Sequence, residues 1–207
     1  MNKSSLREIK KEATAHALAE AAFQLALERG MDGFVVEDVV QRAGYSRRTF
    51  ANYFSCKEEA VATATVPYHD VGEFYELLNR MPDSTSPIDA MYQFVKMQLA
   101  EESLRRMKQL FTLSKSYPGL EPYTLTAVHL LQREAQNLLT ELFRESHSRE
   151  YTYLLVGSVC SMIVPLLDGS LLVRLPGEAP DEETGAQSFD DFFDTAFGYL
   201  RNGFLLD

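Results

Sequence analysis

The sequence predicts an all-α fold in two parts, a short three-helix N-terminal unit followed by a larger helical domain. Three observations predict it. Apolar residues recur at three-four spacing through most of the chain, alternating strand patterns are almost absent, and the helical stretches are separated by short Pro, Gly and Ser punctuation.

The first helix is expected over about Ser5 to Arg29, where Leu18, Ala21, Ala22, Leu25 and Ala26 form one apolar stripe and Gly30 supplies the stop. A second, short helix is expected over Val36 to Ala43, ended by Gly44. A third begins at Ser46 and runs to about Phe54. A fourth starts near Lys57 and must bend or break near Pro67. The segment Met81-Pro-Asp-Ser-Thr-Ser-Pro87 reads as a linker. Beyond it helices are expected at about 88–100, 103–115, 122–146, 149–173 and 188–205, with Pro165 kinking the fourth of these.

Length and composition narrow the classes. The chain has 207 residues, 45 % of them apolar, which suits a folded protein of one or two domains. The nearest approach to a membrane span, Leu154 to Pro165, is about half the length required and carries Ser158 and Ser161, so no membrane partner is expected. Met1 to Lys11 is polar and mixed in charge, unlike a signal peptide. Cys56 and Cys160 are far apart and are read as free thiols, with a cytoplasmic, reducing address. His16, His69, His129 and His147 are scattered, and no metal or other cofactor is expected. The acidic run Asp181-Glu-Glu183 reads as a solvated loop.

The net charge of −10 is unevenly spread. Residues 1–60 hold nine basic and nine acidic side chains, whereas residues 61–207 hold 11 and 21. A local basic face is therefore open to the N-terminal part, and local charge governs attraction to phosphate.

The segment from Val36 to Phe54 reads helix, glycine turn, helix. Gly44 can take the positive φ of a tight turn, and Ser46 suits the cap of the third helix. At 100° per residue, Phe50 and Phe54 share one side of that helix. Arg48 and Asn52 lie nearly opposite, flanked by Thr49 and Ala51. Arginine pairs bidentately with guanine and asparagine with adenine in the major groove. The helix start also directs backbone N–H groups toward a phosphate. The same spacing equally describes a solvated helix pair with no nucleic-acid role.

A longer pattern surrounds this segment. Ala21-Ala22, Glu28-Arg29-Gly30, Asp32, Val36-Glu37-Asp38-Val39, Ala43-Gly44-Tyr45-Ser46, Thr49-Phe50, Tyr53-Phe54 and Lys57-Glu58 fix glycine, serine, aromatic and lysine positions over some fifty residues. Over about residues 10–60 this closely resembles the tetracycline-repressor (TetR) family. The resemblance implies a helix-turn-helix DNA-binding domain over 1–60 and a helical effector-binding and dimerisation domain over 61–207. By position it implies that Arg47, Arg48 and Thr49 reach bases or nearby phosphate, and that Tyr53 and Lys57 clamp the backbone. Asn52 joins them from the helical-face argument alone. Three residues depart from the pattern. Ala51 stands where an aromatic contact is frequent, Val35 where threonine often caps the second helix, and Ala15 where a basic residue is frequent in the first. Arg7, Lys10 and Lys11 are candidates to replace the charge missing at Ala15.

The resemblance further implies a homodimeric regulator, more often a repressor than an activator, on a palindromic operator in double-stranded DNA, with no catalytic residues. The dimer interface is expected from about 149–173 and 188–205. The first carries Leu154, Leu155, Val159, Met162, Ile163, Leu166 and Leu167; the second carries Phe189, Phe192, Phe193, Ala196, Phe197, Tyr199 and Leu200. A small-molecule effector is expected against Phe94, Met97, Phe111 and Met162, with polar contacts from His129 and Arg133. Each of these residues also suits plain core packing. Two alternatives remain open: a helical DNA-binding protein governed by a protein partner or acting architecturally, and a helical enzyme. For the last, no phosphate loop, nucleophile–base pair or metal-ligand cluster is present in the sequence.

Overall fold

The computed structural model describes residues 6–66, 76, 80–82, 84–179 and 185–203, the side chains of 6–9 excepted. Its elements in chain order are α1 (Leu6–Arg29), α2 (Val36–Ala43), α3 (Arg47–Ala51), α4 (Lys57–Thr63), α5 (Pro87–Gln98), α6 (Glu101–Ser116), α7 (Glu121–Leu142) and α8 (Arg149–Asp168), then the two-residue strands β1 (Val173–Arg174) and β2 (Gln187–Ser188), and α9 (Phe189–Asn202). The mainly helical class is as expected. Contacts divide the chain into two units, one of residues 1–66 and 109–128, the other of 67–108 and 129–207. The expected boundary lay at residue 60. The first unit also takes in 109–128 because Leu110, Leu120 and Ala127 are buried in its core.

In the first unit, α1 supplies the central stripe. Leu18, Ala22, Phe23, Leu25 and Ala26 are buried, and Val39, Phe50, Phe54, Ala60 and Val61 from the next three helices close over them. Gly30 ends α1 with φ +70°, and its N–H donates to the Ala26 carbonyl at 2.9 Å. The positive φ favours glycine there, and a Cβ would lie 2.2 Å from Tyr117 Oη, so the tyrosine tip would have to move. Gly44, with φ +75°, turns the chain between α2 and α3.

The helix starts follow capping chemistry. At α2, Val35 has no side-chain oxygen, so only one half of a capping box forms: the Val35 N–H donates to Asp38 Oδ2 at 2.8 Å. The loss expected from the missing threonine is thereby partly offset. At α4 the N-cap is Cys56, whose Sγ accepts from the Glu59 N–H at 3.5 Å. Glu59 reaches back, and Oε2 accepts from both N–H and Oγ of Ser55 at 2.6 Å. The bend expected near Pro67 lies outside the described residues, as do His69 and the acidic run 181–183. Arg7 belongs to α1, but its side chain is not among those described.

In the second unit, α8 turns Thr152, Leu155, Val156, Val159, Leu166 and Leu167 inward. The Thr152 hydroxyl is hydrogen-bonded to that of Thr140 on α7 at 2.8 Å, so the one polar residue on that face is satisfied. By length and composition alone α8 would also suffice to cross a bilayer, which the interrupted run Leu154–Pro165 does not predict. A third of that apolar stretch is buried within the chain. α9 buries Phe189, Phe193, Ala196 and Phe197. The ring of Tyr92 on α5 lies 5.2 Å from Phe193 and 5.1 Å from Phe197, and its hydroxyl donates to Asp194 Oδ1 at 2.5 Å. Arg201 Nη2 donates to Asp89 Oδ1 at 2.9 Å, a second tie between α5 and α9.

Two boundaries differ from expectation. The helix expected over 149–173 ends at Asp168, because Gly169 takes φ +79° and Val173–Arg174 then pairs in parallel with Gln187–Ser188. A two-residue strand is too short to leave an alternating pattern. The helix expected to reach 146 ends at Leu142. Cys56 and Cys160 are both free thiols. Burial pushes the Cys160 thiol up to about 11.

Candidate nucleic-acid interface

The third helix owes its position to one cap and two rings. Ser46 precedes α3 in extended conformation, and its Oγ accepts from the Thr49 N–H at 3.0 Å. The Thr49 and Ser46 hydroxyls are 2.8 Å apart and hydrogen-bonded, so Thr49 is engaged in the cap and half-buried. Phe50 and Phe54 are buried with ring centroids 5.5 Å apart. These anchors fix the rotation of the helix. Arg47, Arg48, Ala51 and Asn52 consequently face solvent. Asn52 is the C-cap residue, still in helical conformation. The outward face therefore carries two guanidiniums, a methyl and an amide; Arg48 and Asn52 lie there as the helical angles predict, Arg47 joins them, and the Thr49 hydroxyl expected beside them is turned into the cap.

Charge around this face is arranged unequally. Arg42 on α2 makes a two-pronged hydrogen bond to Glu28 on α1, at 2.8 and 2.6 Å. That hydrogen bond holds the Glu28 carboxyl below its usual range and raises Arg42. Arg29 pairs with Asp38 at 3.6 Å. These partly exposed pairs tie α1 to both ends of α2. Arg47 pairs with Glu37 at 2.5 Å, although both side chains are mostly exposed. Arg48 is exposed and makes no ion pair or side-chain hydrogen bond among the described residues. Lys10 and Lys11 on α1 are exposed.

Two expected backbone clamps are more internal than their positions imply. Lys57 is half-buried at the start of α4, and Nζ donates to the carbonyls of Met31 at 2.5 Å and Phe34 at 2.9 Å. Its ammonium also lies 4.8 Å from the Phe34 ring centroid. Two of its three donors are thus spent on the loop between α1 and α2. Tyr53 is half-buried against the first unit's core, 6.4 Å from the Phe54 ring.

Glu37 escaped the sequence reading. An acidic residue in the first turn of a helix is ordinary dipole chemistry, and nothing in a ten-residue spacing points to Arg47. The available signal was the turn itself: a glycine hinge between α2 and α3 brings the start of one helix beside the start of the next.

The residues expected around an effector are not gathered into one described cavity. Phe94, Met97 and Met162 are half-buried in the second unit, whereas Phe111 is buried in the first. His129 and Arg133 are exposed on α7. The inward face of that helix is set by Thr124, Ala127, Ala135 and Leu139, which leaves 129 and 133 on the other side. The polar contacts expected from His129 and Arg133 thus start from exposed positions on α7.

Comparison with known proteins bears on the first unit. Residues 18–62, from the middle of α1 through most of α4, match the sequence profile of the bacterial regulatory proteins, tetR family. No curated protein matches the chain. Among solved structures, a transcriptional regulator from Rhodococcus sp. Rha1 is similar at 21 % identity and a TM-score of 0.45, over 93 % of this chain and 99 % of that one.

Proposed function

We propose that this chain is a DNA-binding transcriptional regulator of the tetR type, a homodimeric repressor released from a palindromic operator by a small-molecule effector; the match of residues 18–62 to the bacterial regulatory proteins, tetR family, supports this reading. One observation carries the DNA-facing part of this reading. α3 is anchored by buried Phe50 and Phe54 and presents unpaired Arg48 with exposed Asn52 on its opposite side. Arg48 is the base reader in this proposal, with Asn52 beside it. Arg47 and Thr49 position the helix against the backbone, and Tyr53 adds its edge to a phosphate. Lys57 serves mainly by fixing the loop between α1 and α2.

The dimer is proposed on the outer side of α8, where Tyr151, Leu154 and Ser161 are exposed, together with Tyr199 of α9. Leu154 is 73 % exposed in the single chain. A two-fold dimer sets two recognition helices at a fixed separation of about one helical turn of DNA. The effector is proposed within the second unit against Phe94, Met97 and Met162. The side-chain amide oxygen of Gln98, Oε1, at the end of α5 is buried without a hydrogen-bond partner among the described residues, so a ligand N–H or O–H would relieve a cost of roughly 1–3 kcal/mol.

The test is selection of bound sequences from random duplex DNA, followed by salt titration on the selected site. An enriched palindrome with a steep salt slope is expected. Arg48→Ala should lower affinity for that site by ~1–3 kcal/mol and relax the preference at one base position. Absence of enrichment with folded protein would remove the proposed regulator function.

A further inference from the structure

The connection between α8 and α9 builds a cavity that neither the DNA-facing helix nor the proposed effector residues use. After the Gly169 turn, β1 pairs with β2, and residues 175–179 are drawn onto α6. Glu178 holds it there: one carboxylate oxygen pairs with Lys108 of α6, and the other accepts from the Leu175 N–H at 2.9 Å. Gly177, with φ +81°, lets the backbone approach so closely that a Cβ would lie 2.2 Å from Glu101 Oε1. Between this loop, α6 and the end of α8 lies a cavity of about 200 Å3 in the second unit.

Its lining is two-natured. Leu166, Leu171, Leu172 and Val173 supply apolar walls, and Arg174 stands among them. Leu171 and Leu172 are 40 % and 68 % exposed, so this apolar surface faces water. Arg174 is half-buried, and its guanidinium makes no ion pair or hydrogen bond among the described residues. The neighbouring carboxylate of Glu178 is already committed to Lys108. A half-buried guanidinium beside uncovered leucines is complementary to a ligand with one anionic end and one apolar end.

We propose that this cavity binds a small amphipathic anion, a short-chain monocarboxylate whose carboxylate pairs with Arg174 and whose chain covers Leu171 and Leu172. Size limits the ligand. The volume lies below the ~300–1,000 Å3 of sites for larger ligands, which suits a chain of a few carbons. The site is separate from Phe94, Met97 and Met162, and binding there does not depend on DNA.

The test is calorimetric titration of hexanoate into the full chain, with hexanamide as its neutral counterpart. Saturable binding of hexanoate at millimolar concentrations is expected, with hexanamide at least about tenfold weaker. Arg174→Gln should lower hexanoate affinity by about tenfold or more, and Leu172→Asp, at an exposed position that leaves the core intact, should lower it as well. No saturable binding, equal affinity for the two compounds, or full affinity in both variants would overturn the proposal.

Discussion

The ammonium of Lys57 sits 4.8 Å from the centre of the Phe34 ring while donating to the Phe34 carbonyl at 2.9 Å and to that of Met31. One side chain at the start of α4 thus closes the loop that separates α1 from α2. Lys57→Met keeps the length of the stem and removes all donors. It leaves two carbonyls short of a partner, each costing about 1–3 kcal/mol if water does not replace the lysine. Urea unfolding should show a clear loss of stability. If Lys57 were chiefly a phosphate clamp, stability would be unchanged, and the salt slope of DNA binding alone would fall.

Glu37 governs how much of Arg47 is available to DNA. The pair is mostly exposed, so it contributes no more than about 1 kcal/mol to folding. Glu37→Gln should therefore leave the melting temperature nearly unchanged. It should free Arg47 for phosphate, strengthen binding to unrelated duplexes, and steepen the salt dependence by about 0.9 in log–log slope. The ratio of specific to non-specific affinity should fall. An unaltered slope would mean that Arg47 meets no phosphate.

Asp89 makes the α5–α9 contact sensitive to acid. Its carboxyl is held below the usual range first by the Ser86 hydroxyl and then by Arg201. A carboxyl whose value is lower when folded than unfolded stabilises the fold above the unfolded value, near 3.9, and loses that contribution as pH falls through the folded value. Asp89→Asn should melt below the parent protein at pH 7. The gap should narrow as the pH is lowered from about 5 toward 3. A gap that is constant across that range would show that charge at Asp89 contributes nothing.

The sequence exposed the first unit far better than the second, for physical reasons. Gly30, Gly44 and Ser46 are local devices: a positive φ or a cap is decided by the residue itself. The inward set of Phe50 and Phe54 follows from helical angle alone. Their placement was therefore legible without a structure. Lys57 was not, because its partners are carbonyls, which carry no residue signature, 23 and 26 positions away in sequence. The exposure of His129 and Arg133 was hidden for a related reason. Their spacing puts them on one face of α7 but does not say which face meets the core. The pairing of β1 with β2 depends on a non-local contact only two residues long.

Leu154 tests the proposed dimer most directly. It is 73 % exposed on α8, between Tyr151 and Ser158 along the helix, and the same helix already buries its other side through Leu155, Val156 and Val159. A leucine so exposed has little to lose within its own chain, so Leu154→Arg should leave the monomer's melting nearly unchanged. Across a two-fold interface the change places arginines near one another at a desolvated contact, and each also loses the burial of a leucine, about 1.5–3 kcal/mol per side. Light scattering coupled to size exclusion should then show the mass of one chain where the parent shows two. Affinity for the full palindrome should drop toward that of a half-site. If the parent is dimeric and the variant stays so, the interface lies elsewhere, and the exposed face of α8 needs another occupant.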